Sequence, residues 1–267
     1  MDAFERTIPE LQAAMASGET TSAALVQQHL DRIAAFDRDG PRLNAMITIN
    51  PSALEEAAEL DREREEKGPR GPLHGIPIVL KDNYDTHDMP TTASAVAMAG
   101  FVPLDDGTQV RRLREAGAVF IGKTNLHEFA RGIETISSLG GQTRNPYDPR
   151  RNPGGSSGGT AAAVAANFAA VGMGSDTCGS IRIPAANNNL FGLRVTQGLS
   201  SRDGIVPLAL TQDVGGPLAR SMIDLVTVLN ATVGADPADP QTIDADEHRP
   251  DSFAEFLDAD ALQGARL

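Results

Sequence analysis

Apolar residues recur at helical spacing in the first forty residues, and this pattern predicts two helices. The first begins after Thr7, which has the side chain of a helix N-cap and is followed by a proline in the first turn, and it ends at Gly18. The second begins after Thr21 or Ser22 and runs to about Phe36. Both helices are expected to lie over the main body of the protein.

From about residue 72 the pattern changes to short apolar strands that alternate with helical segments. Such alternation predicts an α/β sheet with covering helices. The strand segments are IPIVLK, AVFIGK and AAVGMGSD, and the helical segments are TQVRRLREAG and the Ala-rich run after Gly159.

Three further segments differ from this alternation. A charged helix, ALEEAAELDREREEKG, follows Asn50-Pro51 and is expected to form a solvated outer face. The segment from Gly132 to Gly159 is rich in Gly, Ser, Asn and Pro, and a loop of this length inside a compact domain is usually functional. The acidic tail after Gly234 is interpreted as a linker or a covering loop.

Composition narrows the class of protein. The 267 residues are 40% hydrophobic, which is typical of a globular chain with a substantial core, and the net charge of −13 argues against nucleic acid as a direct partner. A charged amino terminus and the lack of a long apolar run argue against a membrane segment. A single cysteine fits a reducing compartment, so a cytoplasmic location is expected.

The sequence GGSSGG, residues 154–159, forms the most unusual loop of the chain. Four glycines around two serines, ahead of a helix, allow backbone conformations that side chains forbid and can direct amides at a ligand. A phosphate-binding loop is the first alternative, but neither GxxxxGK[ST] nor GxGxxG is present. A flexible linker is disfavoured because apolar sequence continues on both sides.

Two other segments carry candidate chemistry. In GSDTCGSIRIPA, residues 174–185, a strand ends in a turn that could expose Ser180 beside free backbone amides, as an oxyanion requires. In GPLHGIPIVLKDN, Lys81 stands at the end of an apolar strand, where burial can neutralise the amine so that it serves as a base. A lysine at a strand end is otherwise most often a solvated edge residue.

Together, the lysine strand, GGSSGG and SDTxGSIRxPA closely resemble the amidase signature family. Further similar segments are GAVFIGKTNLHEF, TRNPYDP and TQDVGGPLARS, and the resemblance covers about residues 5–235. It implies a mixed β-sheet core covered by helices on both faces. The domain organisation that we predict is an N-terminal helical region over residues 1–70, a catalytic core over 71–235, and an acidic linker or the start of a C-terminal region over 236–267.

The resemblance also assigns roles by position. The family's base lysine falls on Lys81, its bridging serine with a cis peptide bond on Ser156, and its acylated serine on Ser180. The adjacent Ser157 is the alternative to Ser156 in this relay. The oxyanion-binding amides fall on Thr177, Cys178, Gly179 and Ser180.

The implied activity is hydrolysis of a carboxylic amide, with a small-molecule, non-peptide amide as substrate, through a Ser-cisSer-Lys triad and an acyl-enzyme. No cofactor and no metal are expected, since the five histidines show no metal-ligand spacing. The alternatives are the glutaminase subunit of a transfer-RNA-dependent amidotransferase and an inactive, truncated remnant. A homodimer is left open, and so is the identity of the amide.

The sequence departs from the family pattern in two ways. Cys178 stands where the family commonly has glycine, so it would be strained if the backbone there required a positive φ. A cysteine nucleophile at this position would lack a histidine partner nearby in the sequence. Family members usually continue well beyond the length of this chain, so we expect the C-terminal part of the fold to be missing. Asp176 and Arg182 are expected to pair and brace the turn.

Overall fold

The computed structural model describes residues 1–266, which fold around a six-stranded mixed sheet. The strands within residues 1–266 are β1 Met46–Ile49, β2 Pro77–Lys81, β3 Val119–Thr124, β4 Ile136–Ser137, β5 Gly141–Gln142, β6 Val171–Asp176, β7 Phe191–Gly192 and β8 Val214–Ala219. The α-helices are α1 Ile8–Ala16, α2 Ser22–Ile33, α3 Ala53–Lys67, α4 Thr108–Glu115, α5 Gly158–Ala165, α6 Arg182–Asn187, α7 Met222–Thr232 and α8 Ala245–His248.

The strand order of the main sheet is β1-β3-β2-β6-β8-β7. Strands β3, β2 and β6 are parallel neighbours, whereas β1 at one side and β8 and β7 at the other are antiparallel to their neighbours. Because the carboxyl ends of parallel strands meet at one edge of a sheet, the residues that follow β2 and β6 lie side by side.

Alternate residues of the central strands point into two separate hydrophobic layers. Ile78 and Leu80 of β2 pack in the layer that contains apolar residues of α1, α4 and α7. Val79 points the other way and packs in the layer that contains residues of α2, α3 and α5. The predicted α/β fold, with helices on both faces of a mixed sheet, is therefore confirmed.

The helix starts were predicted accurately. Thr7 caps α1 and forms a capping box with Glu10, and Thr21 caps α2 by accepting a hydrogen bond from the amide of Ala24. The α2 prediction ran slightly too far: the α-helix ends at Ile33, and one π-helical turn, Ala34–Arg38, continues it.

Elements with no counterpart in the predicted pattern include β1, β7, β8, α7 and the short α8. The long polar segment 132–159 is mostly loop, as expected, with the small β4–β5 hairpin inside it. In the acidic tail, Asp236, Asp239 and Thr242 are buried, and Asp239 pairs with Arg202, so this part packs on the core. Among residues 1–266, no helix is both long enough and apolar enough to cross a membrane.

Candidate active site

Lys81 and Ser156 meet at the carboxyl end of the central strands. Lys81 is the last residue of β2 and is fully buried, and its Nζ atom lies 2.6 Å from Ser156 Oγ. Ser156 is fully buried as well and stands in the turn just before α5. The peptide bond between Gly155 and Ser156 is cis.

The loop around Ser156 is fixed by hydrogen bonds from its neighbours. The amide of His127 donates to the Ser156 carbonyl at 3.0 Å, and Thr135 Oγ1 donates to the Gly154 carbonyl at 2.7 Å. A Cβ atom on Gly159 would approach the carbonyl oxygen of Asn125 to 2.2 Å, so only glycine lets α5 begin this close to the loop after β3.

Burial changes the protonation of Lys81. Removal of the amine from water lowers its pKa to about 7, although the negative charges of Asp176 and Asp213 act in the opposite direction. A neutral amine in contact with a serine hydroxyl can accept its proton, so the pair has the chemistry of a base and a relay near neutral pH.

The chain has three lysines, and their environments differ. Lys123 is also buried, and burial lowers its pKa to about 8, but its amine faces Asp82 at 3.9 Å and the carbonyl of Tyr84 at 2.6 Å. Lys67 is exposed at the end of α3. Of the three, Lys81 is the lysine whose amine contacts the GGSSGG loop.

Ser180 lies in the turn between β6 and α6 and is 5% exposed. Its carbonyl accepts a hydrogen bond from the amide of Ser157 at 3.1 Å, which holds its backbone against the GGSSGG loop. Within residues 1–266 the Ser180 hydroxyl makes no side-chain hydrogen bond, so the structure brings Lys81 and Ser156 together but does not show the link from Ser156 to Ser180.

Ser157, the alternative relay, has a different partner. Its hydroxyl donates to the carbonyl oxygen of Ser175 at 3.1 Å, and the amide of Ser175 donates back to it at 3.3 Å. Ser157 Oγ thus ties the loop to the end of β6, and it makes no hydrogen bond to Lys81 in the described part of the chain.

The turn that carries Ser180 is organised around the Asp176 carboxylate, which is fully buried. It accepts hydrogen bonds from the amides of Gly179 and Ile181 at 2.8 and 3.0 Å. It also pairs with Arg182, as expected from the sequence, and with Arg194, each at 3.1 Å. Burial alone would raise the pKa of Asp176, but the hydrogen bonds from Arg182 and the backbone outweigh it and lower that pKa.

The four candidate oxyanion amides are therefore not equivalent. The Gly179 amide already donates to Asp176, whereas the amides of Thr177, Cys178 and Ser180 have no acceptor among residues 1–266. The left-handed backbone conformation in this turn falls on Gly179, with φ of 142°, and Cys178 is exposed without a positive φ. The cysteine that replaces the family's usual glycine is thus accommodated without backbone strain.

Four residues of the site carried no signal in the sequence pattern. Ser175 Oγ accepts hydrogen bonds from Lys81 Nζ and from Asn83 Nδ2. Arg194 donates to the Asp176 carbonyl at 2.5 Å, and Asp213 accepts from Thr177 Oγ1 at 2.5 Å. The order of strands brings Ser175 to Lys81, since β6 lies next to β2.

One group of metal-type ligands lies outside this site. Ligand atoms of His87, Asp88 and Asp106 lie within 4.8 Å of one another. Arg114 forms ion pairs with both carboxylates, at 3.0 and 2.8 Å, so their negative charge is already compensated by a guanidinium group.

Comparison with known proteins identifies the family. The family model for amidases matches residues 24–262. A glutamyl-tRNA(Gln) amidotransferase subunit of Acidothermus cellulolyticus is 42% identical over the whole chain and 52% of its own length, and a probable amidase of Arabidopsis thaliana is 42% identical over 98% of the chain and 52% of its length. The chain therefore belongs to the amidase family, and the resemblance to amidase signature proteins is confirmed.

Solved structures agree with this assignment. The peptide amidase of Stenotrophomonas maltophilia superposes with a TM-score of 0.88 at 53% identity, over 92% of this chain and 51% of that one. The glutamyl-tRNA(Gln) amidotransferase subunit of Thermotoga maritima superposes with a TM-score of 0.78 at 35% identity, over 91% of this chain and 50% of that one. The chain spans about half the length of the relatives that it matches.

Proposed function

We propose that this protein hydrolyses a carboxylic amide to an acid and ammonia or an amine, with Ser180 as nucleophile, Ser156 as relay and Lys81 as base. The observation that carries the proposal is the 2.6 Å contact between the buried Lys81 amine and Ser156 Oγ. Membership of the amidase family supports the same bond type.

The first chemical step forms a bond between Ser180 Oγ and the amide carbonyl carbon. The Ser180 proton passes to Ser156 Oγ while the proton of Ser156 passes to Lys81 Nζ. This transfer requires the Ser180 hydroxyl to come within hydrogen-bond distance of Ser156 Oγ, and the bond from the Ser157 amide to the Ser180 carbonyl holds the two backbone segments together. Amides of Thr177, Cys178 and Ser180 are the candidate donors to the developing oxyanion.

The second half of the reaction reverses the proton transfers. The leaving amine takes the proton back through Ser156, the C–N bond breaks, and an ester of Ser180 is left. Water then attacks this ester and releases the acid, while Lys81 and Ser156 accept and return the proton as before.

A fluorophosphonate probe tests the nucleophile without knowledge of the substrate, because it reacts with an activated serine. Wild-type protein is expected to be labelled, Ser180→Ala to lose the label, and Ser157→Ala to retain it. Intact-mass measurement after labelling gives the result. A folded wild-type protein that takes no label would overturn the proposal and favour the inactive remnant.

The rate of this labelling should depend on pH. Because the base must be neutral, and burial lowers the pKa of Lys81 to about 7, the rate is expected to rise with pH and to level off above that value. Labelling rates measured from quenched time points between about pH 5 and 9 give the midpoint of this pH dependence. A flat profile would argue that the group with this pKa takes no part.

The substrate class separates two forms of this proposal. The 53% identity to a peptide amidase favours a stand-alone amidase, with peptide or amino-acid amides as the first substrates to test, and a restriction to non-peptide amides stays a prediction. The 42% identity to a glutamyl-tRNA(Gln) amidotransferase subunit keeps glutamine as the second candidate. Ammonia release from glutamine that requires partner subunits would reverse our preference.

A further inference from the structure

Lys81 has a second serine partner besides Ser156. Its Nζ atom lies 2.8 Å from Ser175 Oγ and 3.3 Å from the Ser175 carbonyl oxygen. Ser175 is 6% exposed and stands in β6, beside β2 in the sheet. The lysine nitrogen is therefore surrounded by three oxygen atoms, two of which belong to Ser175.

The number of hydrogens on the nitrogen limits how these contacts are used. A protonated amine donates to all three oxygens, but a neutral amine has two hydrogens and one lone pair. The Ser175 carbonyl oxygen can only accept a hydrogen bond, so one N–H of the neutral amine points at it. If Ser175 Oγ accepts a hydrogen bond from the other N–H, the nitrogen lone pair points at Ser156 Oγ. This is the atom from which the amine must accept a proton.

Asn83 holds the Ser175 hydroxyl in this place. Its Nδ2 atom donates to Ser175 Oγ at 3.0 Å, and Asn83 is 1% exposed. The Asn83 Oδ1 atom is buried without a hydrogen-bond partner in the described chain. A buried polar atom without a partner costs free energy, so its presence in a folded protein calls for a functional reason. Ser157 fixes the Ser175 backbone from the other side.

We propose that Ser175, held by Asn83, is a positioning residue. Its two oxygen atoms accept hydrogen bonds from the Lys81 amine and thereby direct the amine lone pair at Ser156 Oγ. This inference rests on the proposed function, since it concerns the orientation of the proposed base.

Ser175 acts among several charged groups. Asp176 follows it in β6 and Asp213 precedes β8, and both carboxylates raise the pKa of Lys81 against the effect of burial. Arg182 and Arg194 are bound to Asp176. On the β3 side, the Lys123 amine is paired with Asp82. These groups are the same in variants of Ser175, so a change in pH dependence reports on the lost hydroxyl.

The decisive variant is Ser175→Ala. A hydrogen bond from the protonated amine to Ser175 Oγ favours the charged form, so its loss is expected to lower the pKa of Lys81 further. The midpoint of the pH profile of fluorophosphonate labelling should move to lower pH by about one unit, and the plateau rate should fall about tenfold to a hundredfold. A merely structural role would lower the rate without moving the midpoint.

Three companion variants keep the test decisive. Ser175→Thr retains the hydroxyl and should keep the wild-type midpoint, whereas Asn83→Leu releases the hydroxyl and should move the midpoint in the same direction as Ser175→Ala, by less. Ser22→Ala is the matched control, because it removes a buried hydroxyl that donates to the Gly75 carbonyl at 2.9 Å, at the opposite end of β2. Circular dichroism checks that each variant is folded.

The outcomes separate this inference from the function on which it rests. A labelled wild type whose midpoint is unchanged in Ser175→Ala and in Asn83→Leu would overturn the positioning role and leave the triad intact. An unlabelled wild type would overturn the proposed function itself. If Ser175→Ala fails to fold, the other two variants decide. An unchanged midpoint in Ser175→Thr together with a lowered midpoint in Asn83→Leu supports the inference, and a lowered midpoint in Ser175→Thr together with an unchanged one in Asn83→Leu contradicts it.

Discussion

Replacement of Lys81 by alanine is expected to lower the rate of nucleophilic attack by Ser180 by about 10⁴-fold or more, at every pH at which the protein is folded. Among the residues that the structure describes, the Lys81 amine is the only side-chain base within hydrogen-bond distance of Ser156 Oγ. Labelling of Ser180 by a fluorophosphonate, followed against pH for wild type and variant, measures the effect.

Lys81→Arg distinguishes a base from a fixed positive charge. Arginine keeps the charge but does not lose its proton in proteins, so this variant should be as inactive as Lys81→Ala. If Lys81→Arg retained most of the rate, the lysine would act through its charge. An alanine variant that kept its activity with only a displaced pH profile would also contradict the role of Lys81 as base.

Replacement of Asp176 by alanine should have the largest effect on stability. The variant would leave the buried amides of Gly179 and Ile181 without their acceptor, and it would remove the carboxylate that pairs with the exposed Arg182 and the partly exposed Arg194. A buried donor left without a partner costs about 1–3 kcal/mol, so with two such amides we expect a loss of about 2–5 kcal/mol in the free energy of unfolding measured with urea. Labelling of Ser180 should fall as well, because its turn loses its brace.

The pH dependence of this loss has a definite sign. The pKa of Asp176 is lowered in the folded protein, so its stabilising contribution is fully present above the ordinary pKa of an aspartate and is lost as the pH falls through the lowered value. Wild type and Asp176→Ala should therefore approach each other in stability toward acid pH. Asp148→Ala is the control, because Asp148 also binds two arginines but at the surface, and a much smaller effect is expected. Equal effects in the two variants would contradict the bracing role.

The sequence pattern predicted the central part of the fold well. Strands β2, β3 and β6 are fully buried runs of mostly apolar residues, and such runs are distinct from the helices between them. Strand β8 was missed because its sequence, VGGPLA, contains two glycines and a proline, residues that are depleted in strands. Its pairing with β6 and β7 is a tertiary effect that no local pattern contains.

The site was predictable to the extent that family resemblance could place individual residues. Lys81 and Ser156 were named from their motifs, and the structure brings them into contact. Ser175 was not named, although it lies in one of the same motifs, because its relation to Lys81 depends on which strands are neighbours. The engagement of the Gly179 amide by Asp176 likewise depends on the turn geometry and not on the residue types.

The unequal exposure of the three lysines has a practical consequence for covalent attachment. Lys81 and Lys123 are shielded from solvent, so amine-directed reagents applied to the folded protein should reach Lys67 and the terminal amine. Lys67 is the last residue of the charged helix α3, whereas Lys81 is the last residue of the buried strand β2. Attachment of a surface or a dye through amines would thus use few sites on the protein and leave Lys81, the proposed proton acceptor, unmodified.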